Sequence, residues 1–274
     1  MSLAVRVVTD SNTMIPGDLV TDLSITVVPL TVTIGGDELV EHASMDVEAA
    51  YRRLRAGEAA TTSAPSPGVF VDTSRALGAG PIVSVHIGAT YSGTVDVARL
   101  GARLSTAEVV VVDTGTASFL AGCCVLAAAE AASDGRGSAD VVAAAEHTAE
   151  TVSSIFTISE LDRARAGGRL VIDDRDDAPV LLMNRSGISV VASARTADAA
   201  AALMLEHLDA VPGRLRIGIG DADAGPVVDE LISQVHVRRP DDDIIRYVVG
   251  PTVAAHAGMG TFGIVYHPLP PTSR

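Results

Sequence analysis

The sequence predicts an α/β protein of two domains: an N-terminal three-layer α/β/α domain with a parallel sheet and a C-terminal α/β domain with a mixed sheet. Two observations carry this. Over residues 1–150, short runs rich in Val and Ile alternate with longer amphipathic or Ala-rich stretches. That order builds a parallel sheet covered on both faces. Beyond about residue 150 two strand-like segments face each other across Arg185, Ser186 and Gly187, and such a hairpin makes the sheet mixed. A length of 274 residues fits two domains, placed at 1–150 and 151–274.

Taken in order, residues 4–8 read as a strand, 16–23 as a short helix and 25–32 as a second strand. Gly35 and Gly36 mark a turn into a short arm at 38–42. A helix follows over 45–55, with Ser44 as its cap and Asp46 and Glu48 in its first turn. The stretch from Thr61 to Ser63 reads as a polar hydroxyl loop. Ser66 followed by Pro67 starts a helix that runs to 77. Residues 81–87 are a buried strand that breaks at Gly88, and a helix starts just after Ser92 and Gly93 and reaches 104. A strand at 108–112 and helices at 118–132 and 139–151 complete the first half. In the second half, strands are expected at 154–158, 181–183, 188–193, 215–220, 244–248 and 262–266. Helices are expected at 160–165, 197–208, 226–235 and 251–255.

Composition narrows the function. The hydrophobic fraction is 47%, enough for a sizeable core, and the net charge of −14 repels nucleic acid and acidic membrane surfaces. All 20 basic residues are arginine, so Schiff-base chemistry and a P-loop lysine are excluded. Aromatics at 3% offer no stacking platform for single strands. Cys123 and Cys124 are adjacent in an apolar helix pattern and form neither a disulfide framework nor a metal motif. The N-terminus lacks a signal-peptide pattern and no apolar stretch is long enough to cross a bilayer, so a cytoplasmic protein is expected.

The stretch around Ser92, Gly93 and Thr94 joins a buried strand to a helix. Its geometry gathers free backbone N–H groups and a partial positive charge, which suits an anion; a helix cap is the simpler role for the same hydroxyls. Asp10 lies where the first strand ends, either in a ligand crevice or in a turn. Thr62 and Ser63 form a second hydroxyl cluster. Arg169 ends a Gly-Gly turn, Arg195 sits between a strand and a helix, and His256 sits in a Gly-rich loop. No hydrolase elbow, dinucleotide fingerprint, P-loop or metal-ligand spacing is present.

These residues resemble the DegV family. VTDS at Val8 to Ser11, VPLTV at Val28 to Val32, TTSAPS at Thr61 to Ser66 and TYSGTVDVA from Thr90 are similar to its motifs. So are VVDTGTAS from Val111, AGGRL from Ala166, Arg195-Thr196 and HAGMG at His256 to Gly260, all in the family's order. The resemblance implies a two-domain α/β fold that binds one long-chain fatty acid between the domains. It also implies presentation of the acyl carboxylate to a separate ATP-dependent kinase subunit, which forms an acyl phosphate for phospholipid synthesis. On this reading Thr62 and Ser92 hold the carboxylate, and Ser63, Gly93 and Thr94 complete the anion pocket. Arg169, Arg195 and His256 lie near the head group or the kinase-docking face. The chain would itself be non-catalytic, with no cofactor, no metal, no nucleic-acid partner and no stable membrane insertion. Ala257 and Met259 depart from the family's HTGPG loop, and Thr114 replaces its Ser. Two other readings are a hydrolase or acyltransferase using Ser92 with His256, and a carrier of another anionic amphiphile.

Overall fold

The computed structural model describes residues 3–42, 44–158 and 178–270. The expected helix at 160–165 and the Gly167-Gly168-Arg169 turn lie outside the described residues. The chain divides into two compact units, Met1–Asp46 with Ala59–Glu150 and Val47–Glu58 with Thr151–Arg274.

The elements of the first unit, with one helix that groups elsewhere, follow in chain order. They are β1 (Arg6–Asp10), a 3₁₀ turn (Ser11–Thr13), α1 (Gly17–Asp22), β2 (Thr26–Val28), β3 (Thr31–Ile34), β4 (Asp37–Val40), α2 (Val47–Arg55, of the second unit), β5 (Ala60–Ser63), α3 (Pro67–Leu77), β6 (Ile82–His86), α4 (Thr94–Leu104), β7 (Val109–Asp113), α5 (Phe119–Ser133) and α6 (Ser138–Thr151). The strands β2-β1-β6-β7 form a sheet paired in parallel throughout. Strand β6 lies inside it and is buried at every position, which is why its sequence reads as an apolar run rather than an alternation. On one face Val8, Val28 and Ile82 pack against Phe70 of α3 and Ala98 of α4. The opposite side carries α5, which packs on β1 and β6. Helix α5 has no polar stripe, and Phe119, Leu120, Ala121, Cys123, Cys124 and Val125 are all buried.

The expected strand at 25–32 is two strands in two sheets. Pro29 supplies no amide and ends the parallel pairing after Val28. The chain then enters β3, the centre of a small antiparallel sheet of order β4-β3-β5. The arm expected at 38–42 is β4, and the stretch from Thr61 to Ser63 lies within β5 rather than in a loop.

The second unit contains α2, β8 (Ser153–Thr157), β9 (Ala178–Asn184), β10 (Gly187–Ala194), α7 (Ala197–Asp209), β11 (Leu215–Asp221), α8 (Pro226–Arg238), β12 (Asp243–Val248), α9 (Pro251–Ala257) and β13 (Phe262–Pro268). Its six-stranded sheet has the order β10-β9-β8-β13-β11-β12 and is mixed: β11 and β12 are parallel, the other neighbours antiparallel. Met204, Leu208, Leu231 and Val235 of α7 and α8 pack on Ile155, Val180, Ile217 and Ile264. Residues 47–58 follow the first unit's strands in sequence but group with the second unit. The buried Tyr51 hydroxyl donates to the Val249 carbonyl at 2.5 Å, and Arg55 pairs with Asp223 at 2.6 Å.

Candidate functional site

The site is built at the carboxyl end of the parallel sheet, the end at which open α/β sheets leave a crevice. The loop from β6 to α4 is fixed at its root by three successive amides. Ile87 N–H donates to Asp10 Oδ2 at 3.2 Å, Gly88 N–H to the Thr116 carbonyl at 2.8 Å and Ala89 N–H to Asp113 Oδ1 at 3.2 Å. The Gly88 carbonyl then accepts from Tyr91 and Ser92 N–H. Gly88 has to be glycine here, because a Cβ would stand 2.7 Å from the Gly115 backbone.

Past this root the chain presents donors. Ser92 Oγ accepts from Thr94 N–H at 3.2 Å and lies 2.8 Å from Thr94 Oγ1. Ser92 is half-buried and Thr94 fully buried. The backbone N–H groups of Gly93, Val95 and Asp96 have no hydrogen-bond partner among the described residues. Such amides at the start of an eleven-residue helix, with two hydroxyls beside them, suit a carboxylate or phosphate. The nearby Asp96 and Asp113 are both countered by Arg99, at 2.9 and 3.6 Å.

The small sheet brings Thr62 and Ser63 to the same end of the parallel sheet. Ser63 pairs with Thr31, and Leu30 N–H donates to Ser11 Oγ at 3.0 Å just beyond Asp10. Ser11 in turn donates to the buried Glu41 at 2.7 Å, which ties the end of β4 to the same point. Thr62 pairs with Val32, which is fully buried, so Thr62 faces inward while Ser63 alternates to the exposed face.

In the second unit, Arg195 is exposed between β10 and α7, where Thr196 caps α7 by accepting from Ala199 N–H at 3.1 Å. His256 is half-buried in the last turn of α9 rather than in a loop, because α9 runs to Ala257, two residues past the expected end. Arg169 lies outside the described residues.

Sequence reasoning missed His86. Its Nδ1 lies 2.8 Å from Asp10 Oδ2 and its Nε2 lies 2.7 Å from Ser84 Oγ. The order Ser84–His86–Asp10 repeats the hydrogen-bond order of a hydrolytic triad. Exposures of 3%, 0% and 0% close it to any substrate. Ser92, the nucleophile of the hydrolase reading, has Thr94 rather than a histidine as its hydroxyl partner. A cavity of about 620 Å³ lies at the other end of the sheet, lined by Leu3, Pro81, Leu104 and Glu108 among others, and includes none of these residues. No helix of the described residues is long and apolar enough to cross a membrane.

Comparison with known proteins finds relatives over nearly the whole chain. A DegV domain-containing protein of Streptomyces coelicolor is 34% identical over 277 residues, which span 97% of this chain and 99% of that one. A Thermus thermophilus DegV family protein, whose structure is described as fatty acid binding, is 27% identical with a TM-score of 0.88, covering 97% of this chain and 100% of its own. DegV of Bacillus subtilis, described as a fatty acid binding protein, shares the fold at 23% identity with a TM-score of 0.89, covering 98% of this chain and 100% of its own. The model of the DegV family, described as uncharacterised, matches residues 4–269, and the chain belongs to that family.

Proposed function

We propose that this protein binds a long-chain fatty acid and holds its carboxylate at the loop from Ser92 to Thr94, with Thr62 as the second hydroxyl. The observation that carries the reading is the pair of hydroxyls 2.8 Å apart beside amides of α4 that have no partner among the described residues. The fatty acid binding described for the Thermus thermophilus relative supports it. Hydrogen bonds to a charged carboxylate contribute about 1.5–3 kcal/mol each. Each buried CH₂ of the tail adds about 0.8 kcal/mol, so the tail dominates affinity and the hydroxyls select the head group. Ser63 and Gly93 complete the head-group site in this assignment, and the family resemblance adds Arg169, Arg195 and His256 as residues of the same function.

In this reading the protein is a cytoplasmic carrier without a cofactor, not itself catalytic. It presents the carboxylate to an ATP-dependent kinase subunit, which makes the acyl phosphate used in phospholipid synthesis. Hydroxyls and amides hold an acid rather than transform it, and the nearby Asp96 and Asp113 are countered by Arg99. The test is a lipid extract of the purified protein with native mass spectrometry. A single long-chain fatty acid per chain is expected. Apo protein alone, even after incubation with oleate and palmitate, would refute the reading, and another bound anionic amphiphile would replace it. For the kinase role, acyl phosphate should form only when the loaded protein, a kinase subunit and ATP are combined.

A further inference from the structure

We propose that His86 is a positioning residue for the head-group loop, and that its bond to Asp10 sets where Ser92 and Thr94 stand. The proposal rests on the fatty-acid reading above. Strand register creates the contact. Val8 pairs with Ser84, so two residues further along Asp10 of β1 arrives beside His86 of β6, and Ser84 and His86 share one face of the sheet. A carboxylate oxygen can only accept, so the ring carries its proton on Nδ1 towards Asp10. In the neutral ring, Nε2 then accepts from Ser84.

The residue is held on every side. Its ring meets Phe70 edge-on at 5.3 Å, and its carbonyl accepts from Thr114 N–H at 3.2 Å and Thr114 Oγ1 at 2.9 Å. The oxygen that accepts from the ring also accepts from Ile87 N–H, while the other oxygen accepts from Asn12 N–H at 3.1 Å. Asn12 in turn accepts from Ser118 N–H at 2.7 Å. One buried carboxylate therefore joins the loops that follow β1, β6 and β7. From Ile87 the link to the site is short, since the Gly88 carbonyl holds Ser92 N–H at 3.1 Å. Polar groups buried this deeply are costly unless each is paired. An aliphatic residue at position 86 would satisfy the strand but would leave Asp10 without its side-chain donor.

The test compares dissociation constants for C14, C16 and C18 fatty acids, measured by calorimetry on wild type, His86→Leu and His86→Asn, with circular dichroism to check folding. Folded His86→Leu should bind about tenfold more weakly, by the same factor at every chain length, because tail contacts are untouched. His86→Asn, which keeps a donor towards Asp10, should recover most of that loss. Unchanged affinity in folded His86→Leu, or a loss that grows with chain length, would overturn the positioning role. If His86→Leu does not fold, Asp10→Asn decides. Its amide can accept on only one side, so a uniform weakening supports the role and wild-type affinity overturns it. Wild type that binds no fatty acid would instead sink the fatty-acid reading itself, a result distinct from variants that match a binding wild type.

Discussion

Ser92 Oγ and Thr94 Oγ1 stand 2.8 Å apart where β6 gives way to α4, and Ser92 also accepts the Thr94 amide. The same oxygen thus holds the first amide of α4, whose N-cap is Gly93, and serves in the proposed function as carboxylate donor. Ser92→Ala separates the two roles by magnitude. Losing a bond to a charged acid should raise the dissociation constant for palmitate roughly 10- to 150-fold in a calorimetric titration. Losing the bond to the Thr94 amide should cost about 1 kcal/mol of stability, a fall of a few degrees in melting temperature. A variant that melts lower but binds palmitate normally would leave Ser92 with the Thr94 contact as its only role.

Two glycines of this loop should respond oppositely to alanine. A Cβ at Gly88 would meet the Gly115 backbone at 2.7 Å and Thr116 N at 2.9 Å, and neither can yield without moving the loop after β7. Gly88→Ala should cost about 1–3 kcal/mol in urea denaturation and weaken acid binding as well. Gly93 has φ −70°, and a methyl group there would meet nothing within 4 Å, so Gly93→Ala should leave stability within about 0.5 kcal/mol of wild type. Equal losses in the two variants would contradict this account of the loop root.

What the sequence disclosed and what it concealed follow from the range of the interactions. Strands β6 and β7 and helices α4 and α5 were legible because their burial is written in their own residues. The site loop was legible for the same reason, since Ser92, Gly93 and Thr94 sit together between a readable strand and a readable helix. Strand β5 read as a polar loop because Thr62 is a strand residue only through its pairing with Val32, thirty positions earlier. His86 gave no local signal. A single histidine in an apolar strand gains its meaning from Asp10, 76 positions away. The grouping of residues 47–58 was hidden likewise, because it depends on Val249 and Asp223.

His207 gives the second unit a pH dependence. Burial holds its imidazole below the ordinary value of about 6.5, and its Nε2 lies 2.8 Å from Tyr266 Oη. Burial also pushes the Tyr266 phenol up, so the hydroxyl keeps its proton. The folded state therefore takes up this proton less readily than the unfolded chain. Stability from His207 is present above about pH 6.5 and is lost as pH falls through that value towards the lower folded one. Denaturation midpoints should drop between about pH 7.5 and 5.5, and His207→Gln should flatten that slope. An identical slope in the variant would assign the dependence to other groups.

The attachment of α2 supplies the last prediction, because two kinds of contact hold that helix to the rest of its unit. Tyr51 is 3% exposed and donates to the Val249 carbonyl at 2.5 Å. Arg55 and Asp223 pair at 2.6 Å, but each side chain is 39% exposed. Water competes for the exposed pair and cannot reach the buried one, so distance alone misjudges their worth. Tyr51→Phe keeps the ring but strands the carbonyl, and should cost about 1–3 kcal/mol in urea denaturation. Arg55→Ala should cost less than about 1 kcal/mol, and less still in high salt. The reverse order would mean that surface charge, not the buried hydroxyl, fastens α2 to the second unit.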